Sequence, residues 1–370
     1  MGLLLVLAGC GTPPPHAKKP LPPDWSQSPL PPKSEPAVPA LPTPSVTNVP
    51  LTVAPPVAAQ QFLPTPPAVP AATWIALGRW ARERGLGQPR CLAVAPVATY
   101  ALTTSRGLFT LHIGGREVQW DGTEVRLGFA PQLIDGQVWM HSLDVRKTVE
   151  PLLRGFTPVT HQPRVIVLDP GHGGVNPGAH SAHNGGWEKD FTFDLMVRLA
   201  RLLAAQSWQV FLTRTNDMDV PLTNRVEFAN RCHADVFLSL HFNSSGSNGH
   251  DQAGLETYCL TPAGMPSNLT RGFEDNSHQV FPNNAFDEQN MQLALHLHRA
   301  VLRATGQADR GVRRARFMAV LQGQRCPAVL LEAGYLSNAK ESQRIADWRF
   351  RQKLAEAIAG ALATRMEDGR

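Results

Sequence analysis

Twenty of the 33 prolines in this 370-residue chain fall between Pro13 and Pro70. Proline lacks a backbone N–H and fixes φ, so a segment this rich in it cannot build helices or sheet ladders. Residues 11–72 therefore read as an extended, disordered tether, and every packed core has to come from the residues C-terminal to it. At about 3.1 Å per residue, roughly 60 polyproline-like residues reach at most about 190 Å. The remaining chain is long enough for two modest domains.

Ahead of the tether, "MGLLLVLAGC" is an apolar run ending in Leu7-Ala8-Gly9-Cys10. It is too short to span a bilayer. It resembles the lipobox of bacterial lipoproteins, which implies that residues 1–10 are a lipoprotein signal and that Cys10 is lipidated. Export signals carry basic residues before the apolar run; none is present here, so the expected start lies upstream of Met1. Gly11 in place of Asp implies direction to the outer membrane, with the chain facing the periplasm on a lipid anchor. The other four cysteines are scattered without metal-type spacing. A net charge of +5 and a pI near 9.1 suit an anionic polymer or a membrane surface. No nucleic-acid-binding motif accompanies them.

Residues 73–155 read as a small, mostly β accessory module. "TWIALGRWARERG" fits one helix with Trp74, Leu77 and Ala81 on a face. "SRGLFTLHIGGREVQWDGTEVRLG" alternates and is broken by Gly-Gly and Asp-Gly turns. "LGFAPQLIDGQVWMHSLDVRKTVEPLL" resembles the end of the copper amine oxidase N-terminal-like domain. His112 and His141 are isolated in strand-like segments, and no metal is assigned to them.

From residue 163 to 366 the pattern changes. The apolar runs "RVIVLD", "QVFLTR", "DVFLSL" and "AVLLEAG" alternate with amphipathic segments such as Phe191, Leu195, Leu199 and Leu203. The expected fold class is α/β, a mostly parallel twisted sheet flanked by helices. In such sheets, sites form past the carboxyl ends of strands. His172 lies just past the first run, His241 just past "DVFLSL", and Glu332 at the end of "AVLLEAG"; Glu188 opens the helix after the His172 loop. Two imidazoles and a carboxylate suit Zn²⁺ and leave a position for water, with Glu332 beside them as a base. There is no HExxH, so such ligands would be dispersed along the chain.

"VIVLDPGHGG", Glu188 in "EKD", "PLTNRVEFANRCHADVFLSLHFN", "GLETYCL" and "VLLEAGYLSN" together resemble the zinc-dependent N-acetylmuramoyl-L-alanine amidases of the AmiC-like type, over residues 164–363. The resemblance implies zinc ligands at His172, Glu188 and His241 and a catalytic glutamate at Glu332. Asn243 stands where many members have Asp and is read as shaping the site. The implied reaction is hydrolysis of the amide between N-acetylmuramic acid and L-alanine, with peptidoglycan as partner; the need for a protein activator stays open. Two other readings stand beside it: a zinc peptidase acting within the stem peptide, and a wall-binding lipoprotein without activity. In "RGVRRARF", Arg310 and Arg313 are candidates for stem-peptide carboxylates, with a solvated basic loop as the alternative. Residues 261–290 read as a loop too short for an autoinhibitory helix.

Overall fold

The computed structural model describes residues 73–245, 251–270 and 275–363. Cys10 and the proline-rich tract lie outside them. The described chain opens with strand β1 (Trp74–Ala76) and helix α1 (Leu77–Glu83). The single helix expected across this stretch is thus corrected. Trp74–Ala76 pairs antiparallel with residues 139–141, and only Leu77, Trp80 and Ala81 form a buried helical face.

An antiparallel meander comes next: β2 (Arg90–Ala93), β3 (Thr99–Thr104), β4 (Gly107–His112), β5 (Glu117–Trp120) and β6 (Thr123–Arg126). After it, β7 (Gln132–Ile134) and β8 (Gln137–His141) form a three-stranded sheet with β1. Asp121-Gly122 and Asp135-Gly136 close two hairpins with positive φ at both residues. That is the twist-matched geometry for which Asp-Gly is suited. Short helices α2 (Ser142–Asp144) and α3 (Glu150–Arg154) end this part.

The rest alternates as expected: β9 (Arg164–Pro170), α4 (Glu188–Ala205), β10 (Trp208–Leu212), α5 (Leu222–Arg231), β11 (Val236–Asn243), β12 (Leu255–Cys259), α6 (Asp287–Thr305), β13 (Asp309–Arg314), α7 (Ala319–Gln322), β14 (Ala328–Tyr335), α8 (Ala339–Ala346) and α9 (Trp348–Ala361). Strands buried on both faces read as continuous apolar runs. Here alternate residues enter different cores. Ile166, Leu168, Leu238, Leu240, Val329 and Leu331 pack with α4, α6 and α9, while Val167, Phe237, Ala328 and Leu330 pack with residues of α5 and α7.

The sheet order is β10-β9-β11-β14-β12-β13-β6-β5-β4-β3-β2. β10, β9, β11 and β14 are mutually parallel, so their carboxyl ends share one edge. β12 runs antiparallel to β14 and so begins at that edge. β13 then pairs with β6, making the meander and the parallel strands one continuous sheet.

Candidate metal centre

β9 delivers His172 through a turn that is tight for a physical reason. Gly171 donates its N–H to the Leu240 carbonyl at 3.1 Å, and a Cβ on Gly171 would lie 2.3 Å from Cε1 of His241. Only glycine lets the turn pass so near that imidazole. His172 itself has φ of +62°, a region non-glycine residues seldom occupy unless their surroundings impose it. Two buried arginines impose it here. Arg225 donates to the carbonyls of His172 (2.8 Å) and Pro170 (2.9 Å) and to Asp169 Oδ1 (2.7 Å); Arg214 donates to the carbonyls of Pro170 (3.1 Å) and Gly171 (3.2 Å). Asp169 also accepts from Thr213 and Ser239. Burial alone would raise its pKa, but the Arg225 charge and these hydrogen bonds outweigh burial and hold it below the ordinary value.

Glu188 is the first residue of α4, where the helix dipole favours a carboxylate, and it is only 4% exposed. Each of its oxygens meets one imidazole and one backbone N–H. Oε1 lies 2.9 Å from His241 Nδ1 and 3.0 Å from the Phe242 nitrogen; Oε2 lies 3.0 Å from His172 Nε2 and 2.9 Å from the Ala179 nitrogen. Burial opposes its charge, yet the two histidines hold its pKa well below the carboxylate range. The His172 imidazole is likewise disfavoured in its charged form by burial, but Glu188 raises its pKa above the usual value. Asn176 Oδ1 sits 3.0 Å from His172 Nδ1 and orients the ring so that its Nε2 faces Glu188.

Ligand atoms of His172, Glu188 and His241 all lie within 4.8 Å of one another, and among the described residues they form the metal-type cluster. Two imidazoles and a carboxylate are the donor set zinc takes in hydrolytic sites. Gly178 completes the cradle: a Cβ there would fall 2.5 Å from Glu188 Oε2 and 2.7 Å from His172 Cδ2. The residues fit a zinc ion.

Glu332 is brought to the same place by the sheet. Its Cα pairs with His241 on β11 and with Glu256 on β12, so His241, Glu332 and Glu256 stand in a row across three adjacent strands, on one face. Glu256, absent from the sequence-based site, is 2% exposed and heavily bonded. Its Oε1 takes Arg310 Nε at 2.9 Å and an Arg313 nitrogen at 3.2 Å; its Oε2 takes Asn243 Nδ2 at 3.0 Å and the Tyr258 hydroxyl at 2.9 Å. Burial pushes its pKa up, and the Arg313 and Arg310 charges outweigh that and keep it low.

The basic-loop alternative for "RGVRRARF" is corrected. Residues 309–314 form β13, and Arg314, 1% exposed, is a core residue. Asn176, Arg214, Arg225 and Glu256 are the site residues that sequence reasoning missed. "GLETYCL" carried a signal for the last of them, a carboxylate among strand-forming residues.

A family model described as N-acetylmuramoyl-L-alanine amidase matches residues 166–364, more than half of the chain. The amidase CwlM of Bacillus licheniformis is 32% identical over 200 residues, covering 54% of this chain and 67% of that protein. The amidase AmiC of Escherichia coli O6:H1 is 30% identical over 248 residues, covering 61% and 59%. The solved catalytic domain of the amidase CwlV from Bacillus (Paenibacillus) polymyxa var. colistinus is 33% identical, with 54% of this chain and 96% of that one covered at a TM-score of 0.45. With that family match and a His-Glu-His centre assembled at the carboxyl edge of its sheet, the chain belongs to the N-acetylmuramoyl-L-alanine amidases, the hydrolases of cell-wall peptidoglycan.

Proposed function

We propose that His172, Glu188 and His241 hold one Zn²⁺ and that Glu332 is the general base and acid for cleavage of the amide between N-acetylmuramic acid and L-alanine. The observation that supports this reading is the strand register, in which Glu332 on β14 pairs directly with His241 on β11. When bound, zinc supplies Lewis acidity toward a water and the scissile carbonyl. Glu188 meets both imidazoles through its two oxygens, and Asn176 holds the orientation of the His172 ring through Nδ1. Glu332 takes a proton from the attacking water and returns it to the alanine nitrogen, which leaves poorly unless protonated. Arg310 and Arg313 recognise carboxylates of the stem peptide, and Asn243 shapes the wall between them and the metal ligands.

Mass spectrometry of digested sacculi tests the bond cleaved. Intact stem peptides released from glycan are expected; shortened peptides still on sugar mean a peptidase, and unchanged sacculi mean a wall binder without activity. Glu332→Gln is expected to retain one zinc per chain and lose turnover by about 10²- to 10⁴-fold, the usual contribution of acid–base catalysis. Loss of the metal in that variant would make Glu332 a ligand.

We further propose that Cys10 is acylated and tethers the enzyme to the outer membrane facing peptidoglycan. No helix among the described residues is long and apolar enough to cross a membrane. Cys10→Ala, carried by a complete export signal, should move to the soluble periplasmic fraction and complement poorly at native expression. Metabolic labelling with a clickable palmitate should mark the wild type alone; an unlabelled wild type removes the anchor.

A further inference from the structure

Arg310 and Arg313 are not freely solvated side chains waiting for an anion. Both are tied to Glu256, whose second oxygen ties Asn243 and Tyr258. Arg313 is tied twice, since its Nε donates to the Arg310 carbonyl at 2.8 Å. The Arg310 guanidinium lies over the Tyr335 ring, 5.2 Å from its centroid, and its side chain keeps 27% of its surface open to solvent. A flexible arginine loses much rotamer freedom when it captures a ligand. One already held through Nε and stacked on a ring has lost that freedom beforehand. The holding carboxylate is one strand away from Glu332 in direct register.

Resting on the amidase reading, we infer that Glu256 is a specificity-determining positioning residue: it aims Arg310 at the rim of the site so that a substrate bearing a stem-peptide carboxylate is preferred. Glu256 touches no reacting atom in this assignment. It acts through Arg310, and it also explains Asn243: facing an ionised Glu256, position 243 needs a donor, which an amide provides and a carboxylate does not.

The test compares two soluble muropeptides, one with free stem-peptide carboxylates and one with those carboxylates amidated, using the full zinc-loaded chain. Wild type is expected to favour the free form in kcat/KM by roughly tenfold, the scale of one charge-assisted hydrogen bond. Glu256→Gln, with zinc retained, should bring that preference close to one, mainly through KM for the free form. An unchanged preference in the variant, equal losses on both substrates, or a wild type without preference overturns the inference. If Glu256→Gln does not fold, Arg310→Gln, a change at the partly exposed partner, should show the same loss of preference, and retention of it overturns the inference equally. A wild type that leaves both substrates intact overturns the amidase reading and this inference with it, a result distinct from every selective outcome.

Discussion

At the scale of single residues, the absence of two side chains matters as much as the presence of the three residues of the metal-type cluster. Gly171→Ala would drive a methyl group into the His241 imidazole, and Gly178→Ala would set one between Glu188 and His172 at a φ of +71°. Neither ring can swing away and still face the carboxylate. Each variant is therefore expected to lower zinc affinity by about 10- to 100-fold, as displacement of ligand-supporting groups does, measured by competition with a metal indicator; native affinity in both would refute the cradle. Asn243→Asp should bring a second carboxylate to the position that now donates to Glu256 and lower activity roughly tenfold, and adding Glu256→Gln should restore part of it because the new amide donates to Asp. No gain in the double variant would mean that the pair is not coupled. The three residues of the metal-type cluster and the place of Glu332 at the sheet's carboxyl edge were legible in sequence because each ends or follows an apolar run at a strand's carboxyl end, or opens the helix after one. Asn176 and Glu256 were not, because their importance lies in which atom they face, and a polar residue in a loop or strand announces no partner.

At the scale of elements, the His172 turn hangs on a buried ion pair. Arg225 comes from α5 and Asp169 from β9, with side chains 3% and 2% exposed. Arg225→Met would strand a buried carboxylate and release the His172 carbonyl, so a loss of about 3–5 kcal/mol is expected by denaturant unfolding. The sign of the pH dependence comes from Asp169. Its folded pKa is depressed, so its stabilisation is present above the unfolded value of about 4 and is lost as pH falls through the folded one. The stability gap between wild type and Arg225→Met should thus be full at neutral pH and shrink below about pH 4; a gap independent of pH would mean that Arg225 acts by packing alone. The runs that became β9, β10, β11 and β14 were readable because burial leaves them apolar nearly throughout. β13 was not readable, since the arginines of "RGVRRAR" resemble a solvated loop. The fold buries Arg314 by giving it the Thr148 hydroxyl at 2.9 Å and the Lys147 carbonyl at 2.7 Å, partners so distant in the chain that no local pattern reveals them.

At the scale of the whole described chain, those same bonds join parts that composition separates. Residues 73–155 and 163–366 read as two units because one is a meander and the other alternates. Yet Val125 of β6 pairs with Val312 of β13, the Glu124 N–H donates to Asp309 at 2.8 Å, and Asn268 donates to the Leu127 carbonyl at 2.8 Å. Lys147 meets Asp287 at 3.1 Å, and one hydrophobic core runs without a break from Leu77 and Trp120 to Leu297 and Leu354. Parts that share a sheet and a core unfold together, because separating them exposes the apolar faces of both. Arg314 makes the seam costly to open, since removing the first part strips a buried guanidinium of its partners. Calorimetry of the intact chain is therefore expected to show one transition. A fragment beginning at residue 156 should melt roughly 10 °C or more lower, with its Arg310 and Arg313 on a strand that has lost its β6 neighbour. Two resolved transitions in the intact chain, or a fragment as stable as the whole, would make the first part an independent module and its contact with β13 incidental.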